Sequence, residues 1–198
     1  MKPFAEKIFS FPKLYNLKIE LLGKINGIHS WSVNHLINNK EIIDIGCGSK
    51  SLFYTPENAK KRVGIDSSSE MIQSAKVLYP NSEHYVASAE KLPFDDKSFD
   101  VALIQFVLHH IEPGHWKQVF TEAKRVSRHS IIIFDHVKHD RFIPACIQQA
   151  WWDLTDGGRI YRKEKDWQRL LVDENLGVLE YKRVGALFGN ICFYHLSI

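Results

Sequence analysis

Two short stretches hold the residues best suited to chemistry. The first, Glu41–Ser51, reads EIIDIGCGSKS: Asp44 near the end of an apolar run, then Gly46–Cys47–Gly48. Glycines at those positions let the backbone turn sharply and approach a ligand with no side chain in the way. A phosphate-cradling loop needs glycine directly before Lys–Ser/Thr, and here Ser49 precedes Lys50. A dinucleotide loop wants Gly-x-Gly-x-x-Gly, but Ser51 takes the third glycine position. Asp44 would also set a negative charge beside the phosphates. An acidic residue next to the glycine turn suits a ligand with a cationic end, although a lone Gly-x-Gly is equally an ordinary strand-to-helix turn. The second stretch, Val63–Gly64–Ile65–Asp66, comes roughly twenty residues later, where a carboxylate can accept from two vicinal ribose hydroxyls. Asp66 could instead cap the helix that follows. Ser67–Glu70 supplies a capping box of its own, however, which favours the ribose role. His109, His110 and His136 fall near the ends of further apolar runs, and imidazole titrates in the range a general base requires. The alternative for His109–His110 is a packing pair. Asp135, His136, His139 and Asp140 lack the helical spacing of a metal motif and read as a polar loop, so no metal site is expected, a divalent metal for a catechol-like acceptor being the alternative.

These residues need a scaffold, and the apolar pattern supplies one. Glu41–Ile45, Arg62–Asp66, Glu83–Ala87, Phe99–Ile104 and Ser130–Phe134 are too short for stable helices, and most are rich in Ile and Val, so they read as buried strands. Met71–Leu78 and Trp116–Ser127 read as helices between them. Such alternation predicts a doubly wound, Rossmann-like α/β fold with a mostly parallel seven-stranded sheet. Leu14, Leu17, Leu21 and Ile25, then Val33, Leu36 and Ile37, recur at helical spacing. They predict an N-terminal helical cap over 1–39 on a core over 40–198, together a single domain. After a helix over Lys163–Val172, the runs Val178–Lys182 and Asn190–Leu196 flank Gly185–Gly189 and predict an antiparallel C-terminal hairpin at the sheet edge. Ligands of such sheets bind beyond the carboxyl ends of the strands, just after Ile45, Ile65, Ala87, Ile104 and Phe134. Trp151 and Trp152, followed by Asp156–Gly158, Arg159 and Tyr161, suit a lid over an apolar or aromatic substrate, or equally core packing.

Composition excludes several classes. The 198 residues carry 26 basic and 23 acidic side chains, and the basic ones are scattered, which argues against nucleic acid. No apolar run approaches the roughly 18 residues of an integral membrane segment. Met1–Ser10 lacks the apolar segment of a signal peptide, so a cytoplasmic location is expected. Cys47, Cys146 and Cys192 form no CxxC motif. A small-molecule partner is expected, and nothing in the chain specifies an oligomeric state.

The strings DIGCG, VGIDSSSEMI and ASAEKLPFDDKSFDVALIQFVLHH together resemble a class I S-adenosylmethionine-dependent methyltransferase. The resemblance is to the small-molecule branch that includes the ubiquinone/menaquinone methyltransferases, over roughly Glu41–Phe134. It implies that Asp44, Gly46, Cys47 and Gly48 hold the methionine portion of S-adenosylmethionine. By the same resemblance Asp66 is the ribose carboxylate, Ser67 follows it in the cofactor site, Met71 packs on the adenine, and Ser88, Ala89 and Glu90 read the adenine edge. Gln105 and Phe106 would lie beside the transferring methyl group, with His109 and His110 in the following loop. The chain departs from the family pattern at Ser49–Lys50, which replaces a second glycine element, and at Ser88, where an aspartate commonly accepts from the adenine. Pro56 predicts a first helix shortened to a turn. Ser127–Ser130 replaces a glycine-rich turn and reads as a loop change. The implied activity is methyl transfer to a small molecule. The competing readings are a non-catalytic partner or regulatory domain that binds the cofactor or its demethylated product, and a nicotinamide-dependent oxidoreductase, against which the missing third glycine argues.

Overall fold

Strand β1 (Glu41–Ile45) has Ile42, Ile43 and Ile45 fully buried, the mark of a strand covered on both faces. The computed structural model describes residues 16–17, 32–50, 56–155, 158, 160–186 and 189–198. After a single helical turn, α1 (Asn34–Ile37), the elements are β1, β2 (Lys61–Asp66), α2 (Ser69–Leu78), β3 (Glu83–Val86) and β4 (Phe99–Gln105). They continue with α3 (Pro113–Val126), β5 (Ser127–Val137), α4 (Phe142–Thr155), α5 (Glu164–Asp173), β6 (Gly177–Ala186) and β7 (Gly189–Ser197). The strands form one seven-stranded sheet in the order β3-β2-β1-β4-β5-β7-β6. β1 pairs in parallel with β2 on one side and β4 on the other. The chain thus winds outward in both directions from β1 and β4, opening a crevice at their carboxyl ends.

Side-chain alternation sorts the core into two layers. Ile43, Ile45, Val63, Ile65, Ala102, Ile104, Ile131 and Ile133 pack on one face against Trp116, Val119 and Phe120 of α3 and Trp167 and Leu171 of α5. Ile42, Val101, Leu103, Ile132 and Phe134 face the other way, against Val33, the N-cap of α1, and Ile37 at its end. The rings of Trp116 and Trp167 stack 5.6 Å apart. Their indole N–H groups donate to Ile111 O and His136 O, so neither large side chain buries an unmet donor.

The fold agrees with the sequence expectation in class, strand number and the antiparallel C-terminal hairpin at the sheet edge, with two local differences. Within the hairpin β7 lies between β5 and β6, antiparallel to both, and β6 is outermost. Ser127–Ser130 is no loop: β5 starts at Ser127, directly after α3, and its pairing with β4 begins at Phe99–Ser127. The α2 N-cap is Ser68, not Ser67; its hydroxyl accepts from Met71 N, and Glu70 bonds that hydroxyl instead of closing a capping box. Pro56–Asn58 forms a 3₁₀ turn, and residues 51–55 before it, where the first helix is expected to shorten, lie outside the described residues. Of the expected cap, Leu14, Leu21 and Ile25 lie outside the described residues.

Candidate functional site

At the carboxyl ends of β1, β2, β3 and β4 lies a cleft of about 620 Å³. Its wall begins at the glycine turn, where Gly46 has φ +73° and Gly48 φ +53°, values that L side chains rarely adopt. A Cβ on Gly46 would stand 2.2 Å from Val107 Cγ2, so the close approach of this turn to the loop after β4 requires glycine. Asp66, at the tip of β2, ties the turn to the start of α2. One carboxylate oxygen accepts from Gly48 N at 2.9 Å and the other from Ser68 N at 2.9 Å. Asp66 therefore does serve the entry to α2, contrary to the expectation that a separate cap makes this redundant. Each oxygen keeps a further lone pair, and Asp66 lines the cleft. Burial is the main cause that raises its carboxyl above the ordinary carboxylate range, against the lowering effect of the two N–H donors.

Met71 and Ala87 provide apolar wall, and Ser67, Ser88, Ala89 and Glu90 continue the lining along the loop after β3. Gln105 and Phe106 close the opposite end with Val107, His110 and Ile111. Phe106 is held at φ +56°, strained for an aromatic residue, with its N–H donating to Phe134 O at 2.8 Å. Ten of the twelve cofactor residues expected from sequence thus meet in one cleft. The two that do not are Asp44 and Cys47.

Asp44 is 1% exposed and does not line the cleft. Its carboxylate accepts from Arg62 Nη2 at 3.0 Å and from Gln105 Nε2 at 3.2 Å. Its acidity is spent on a buried cation of the chain itself, and it touches the cleft lining through Gln105. Arg62 also meets His84 Nε2 at 2.8 Å. Burial, reinforced by Arg62, lowers the His84 imidazole from 6.5 to about 4, so it sits neutral. Cys47 is buried against Gly64, and burial pushes its thiol well up, so it is an inert packing residue.

The His109 and His110 rings pack on each other, centroids 4.1 Å apart, yet only one of them lines the cleft. His110 lines the cleft. His109 is 1% exposed and lies behind it, its Nδ1 donating to Asp135 Oδ1 at 2.5 Å. Asp135 Oδ1 also accepts from His136 N. Tyr161 stacks between Trp152, centroids 4.2 Å apart, and His109, 5.3 Å apart, while His136 packs on Phe106, Trp152 and Tyr161. Gly158 N donates to the Tyr161 hydroxyl, and a Cβ there would meet His109 at 2.4 Å. Trp152 and Tyr161 are therefore buried in an aromatic stack that backs the cleft at Phe106 and does not line it. Trp151 is half-buried and Arg159 lies outside the described residues. Sequence reasoning missed Ser68, Glu70, Ala87, Val107 and Ile111 as lining; each is a near neighbour of a matched position, which was the available signal.

Comparison with known proteins fits this geometry. Residues 43–134 match the family model described as a methyltransferase domain. The chain is 26% identical over 125 residues to an uncharacterized methyltransferase of Synechocystis, covering 60% of this chain and 59% of the other. It is 27% identical over 124 residues to the ubiquinone/menaquinone biosynthesis C-methyltransferase UbiE of Campylobacter jejuni, covering 57% and 52%. The chain thus spans a little over half the length of these relatives. Magnesium protoporphyrin IX methyltransferase of Synechocystis PCC 6803, solved with bound S-adenosylmethionine, superposes with TM-score 0.64 at 14% identity. That match covers 94% of this chain and 83% of the other, a likeness of fold. The matched segment and the strand order resemble those of class I S-adenosylmethionine-dependent methyltransferases. Within that class the chain resembles UbiE. The cleft fits the cofactor: a glycine turn open to close approach, a carboxylate with spare acceptor capacity, and an apolar wall.

Proposed function

We propose that the chain transfers a methyl group from S-adenosylmethionine to a small molecule with an apolar or aromatic face. The observation that carries this reading is that Asp66, the loop after β3, and Gln105, Phe106 and His110 line one cleft across the neighbouring tips of β3, β2, β1 and β4. Bound S-adenosylmethionine supplies an activated methyl group on a sulfonium, so the chain's task is alignment and exclusion of water. Asp66 accepts from the ribose hydroxyls, Met71 packs on the adenine, and Ser88, Ala89 and Glu90 face its edge. Gly46 and Gly48 let the backbone approach the methionine portion. Phe106, backed by the His136–Tyr161–Trp152 stack, offers a rigid aromatic face to the acceptor. The name of the C. jejuni relative supports a quinone-like acceptor. Where the acceptor must lose a proton, His110 is the imidazole that lines the cleft, with His109, fixed by Asp135, behind it.

The test is incubation with methyl-labelled S-adenosylmethionine, a panel of phenols, quinols and other aromatic acceptors, and a metabolite extract. Label in an aromatic product supports the reading. Tight binding of S-adenosylhomocysteine with no label transferred to any acceptor refutes it in favour of a non-catalytic binding domain.

A further inference from the structure

The loop from Ala87 to Ser98 has to hold the cleft wall at Ala87–Glu90 without a helix or strand of its own. An irregular segment samples many backbone conformations unless something outside it fixes them. Its first end is fixed by the sheet, since Ala87 N donates to Asp66 O at 3.0 Å. Beyond an exposed His115–Glu90 contact and a bond from Lys97 N to Arg125 O, its buried anchor is a pair of side chains on α3. Glu122 Oε2 accepts from Leu92 N at 2.7 Å, and Arg125 Nη2 donates to Leu92 O at 3.1 Å. Leu92 is thereby gripped at both backbone groups, two residues beyond Glu90.

The same guanidinium uses all its N–H groups on this task. Nε and Nη2 bond the two oxygens of Glu122, each at 2.8 Å, and Nη1 donates to Phe94 O at 2.7 Å and Asp96 Oδ1 at 2.9 Å. The planar fork is what makes this geometry possible, and a lysine could not reproduce it. Glu122 is 8% exposed, so the clamp is only partly screened by water. Phe94 then packs edge-on against Tyr85 and Phe99, which carries the fixed end into the core.

We infer that Glu122 and Arg125 are positioning residues for adenine recognition, holding the Ala87–Glu90 segment at the height where it reads the edge of the base. Neither residue lines the cleft; both act through Leu92. The inference rests on the cofactor reading proposed above and adds to it the groups that set its base selectivity.

The test compares binding of S-adenosylhomocysteine with S-inosylhomocysteine, in which the adenine amino donor becomes a carbonyl acceptor. A site arranged around an amino group rejects the analogue that lacks it. The wild-type chain is expected to prefer the adenine form, and Arg125→Ala to lower that preference about tenfold, the effect of one net hydrogen bond. Glu122→Gln, which keeps an acceptor for Leu92 N, should lower it less, and it decides the matter if Arg125→Ala does not fold. Arg125→Lys should not restore the preference. The KM for S-adenosylmethionine should rise in the variants while that for the acceptor holds. A variant that weakens both ligands equally would show a merely structural role and overturn the inference, as would an unchanged preference or a wild type with none. A wild type that binds neither ligand would instead overturn the cofactor reading beneath it.

Discussion

Replacing Asp66 with alanine removes both acceptor oxygens at the tip of β2, whereas asparagine leaves one and turns the other into a donor facing an N–H. In the free chain the carboxylate already holds Gly48 N and Ser68 N, each at 2.9 Å, so both changes loosen the glycine turn as well as the ligand site. Two ribose hydroxyls donating to a buried, charged partner are worth about 1–3 kcal/mol net, roughly 5- to 150-fold in affinity. Calorimetric titration with S-adenosylhomocysteine reads that loss. A ligand lacking the ribose 2′-hydroxyl separates the two effects, because a double-mutant cycle isolates the direct contact. The wild type should lose affinity for the deoxy ligand, and Asp66→Ala should be nearly indifferent to the missing hydroxyl. The pH dependence gives a second reading. Burial raises the Asp66 carboxyl, so the ionised form that the proposed ribose contact needs is lost at a higher pH than for an ordinary aspartate. Affinity should therefore fall as pH drops through that raised value, and Asp66→Asn should flatten the fall. An equal deoxy penalty in wild type and Asp66→Ala would refute the ribose assignment.

Two further outcomes follow from the surroundings of the cleft. His84 is held neutral down to about 4 while the unfolded imidazole titrates near 6.5. As pH falls through that window the unfolded chain gains a proton that the native chain does not, so stability is lost by up to about 3 kcal/mol. Urea unfolding at pH 7 and pH 4.5 should show this loss, and His84→Asn should reduce it; identical acid slopes would remove His84 as the cause. Gly46→Ala combines a left-handed backbone with a Cβ 2.2 Å from Val107 Cγ2, and should cost about 2–4 kcal/mol. Thermal unfolding should register it, together with weaker binding of S-adenosylhomocysteine; a variant as stable as the wild type would show that the turn tolerates a side chain.

Much of the site was legible because it follows strand ends. Glu41–Ile45 and Arg62–Asp66 were recognisable as apolar runs, and their carboxyl tips carry Gly46 and Asp66 in any parallel sheet. Placing Asp44 needed more. Its type suggests a counter-ion for a ligand, yet Arg62, on the neighbouring strand, reaches it first. Spacing along one chain does not show which charge across a strand pair will find it. The histidines divide for the same reason: adjacent in sequence, His109 turns inward to Asp135 on β5 while His110 turns to the cleft.

Local residue choice determined the strands and their common direction, the glycine turn and the carboxylate at the second tip, because backbone freedom and apolar patterning act over a few positions. Tertiary structure decided which side chains are spent on one another. β7 slid inside β6, Trp152 and Tyr161 closed into a stack, and Glu122 and Arg125 reached across to Leu92. Each of these joins groups far apart in the chain, and their pairing depends on distances that exist only once the sheet and its helices have packed.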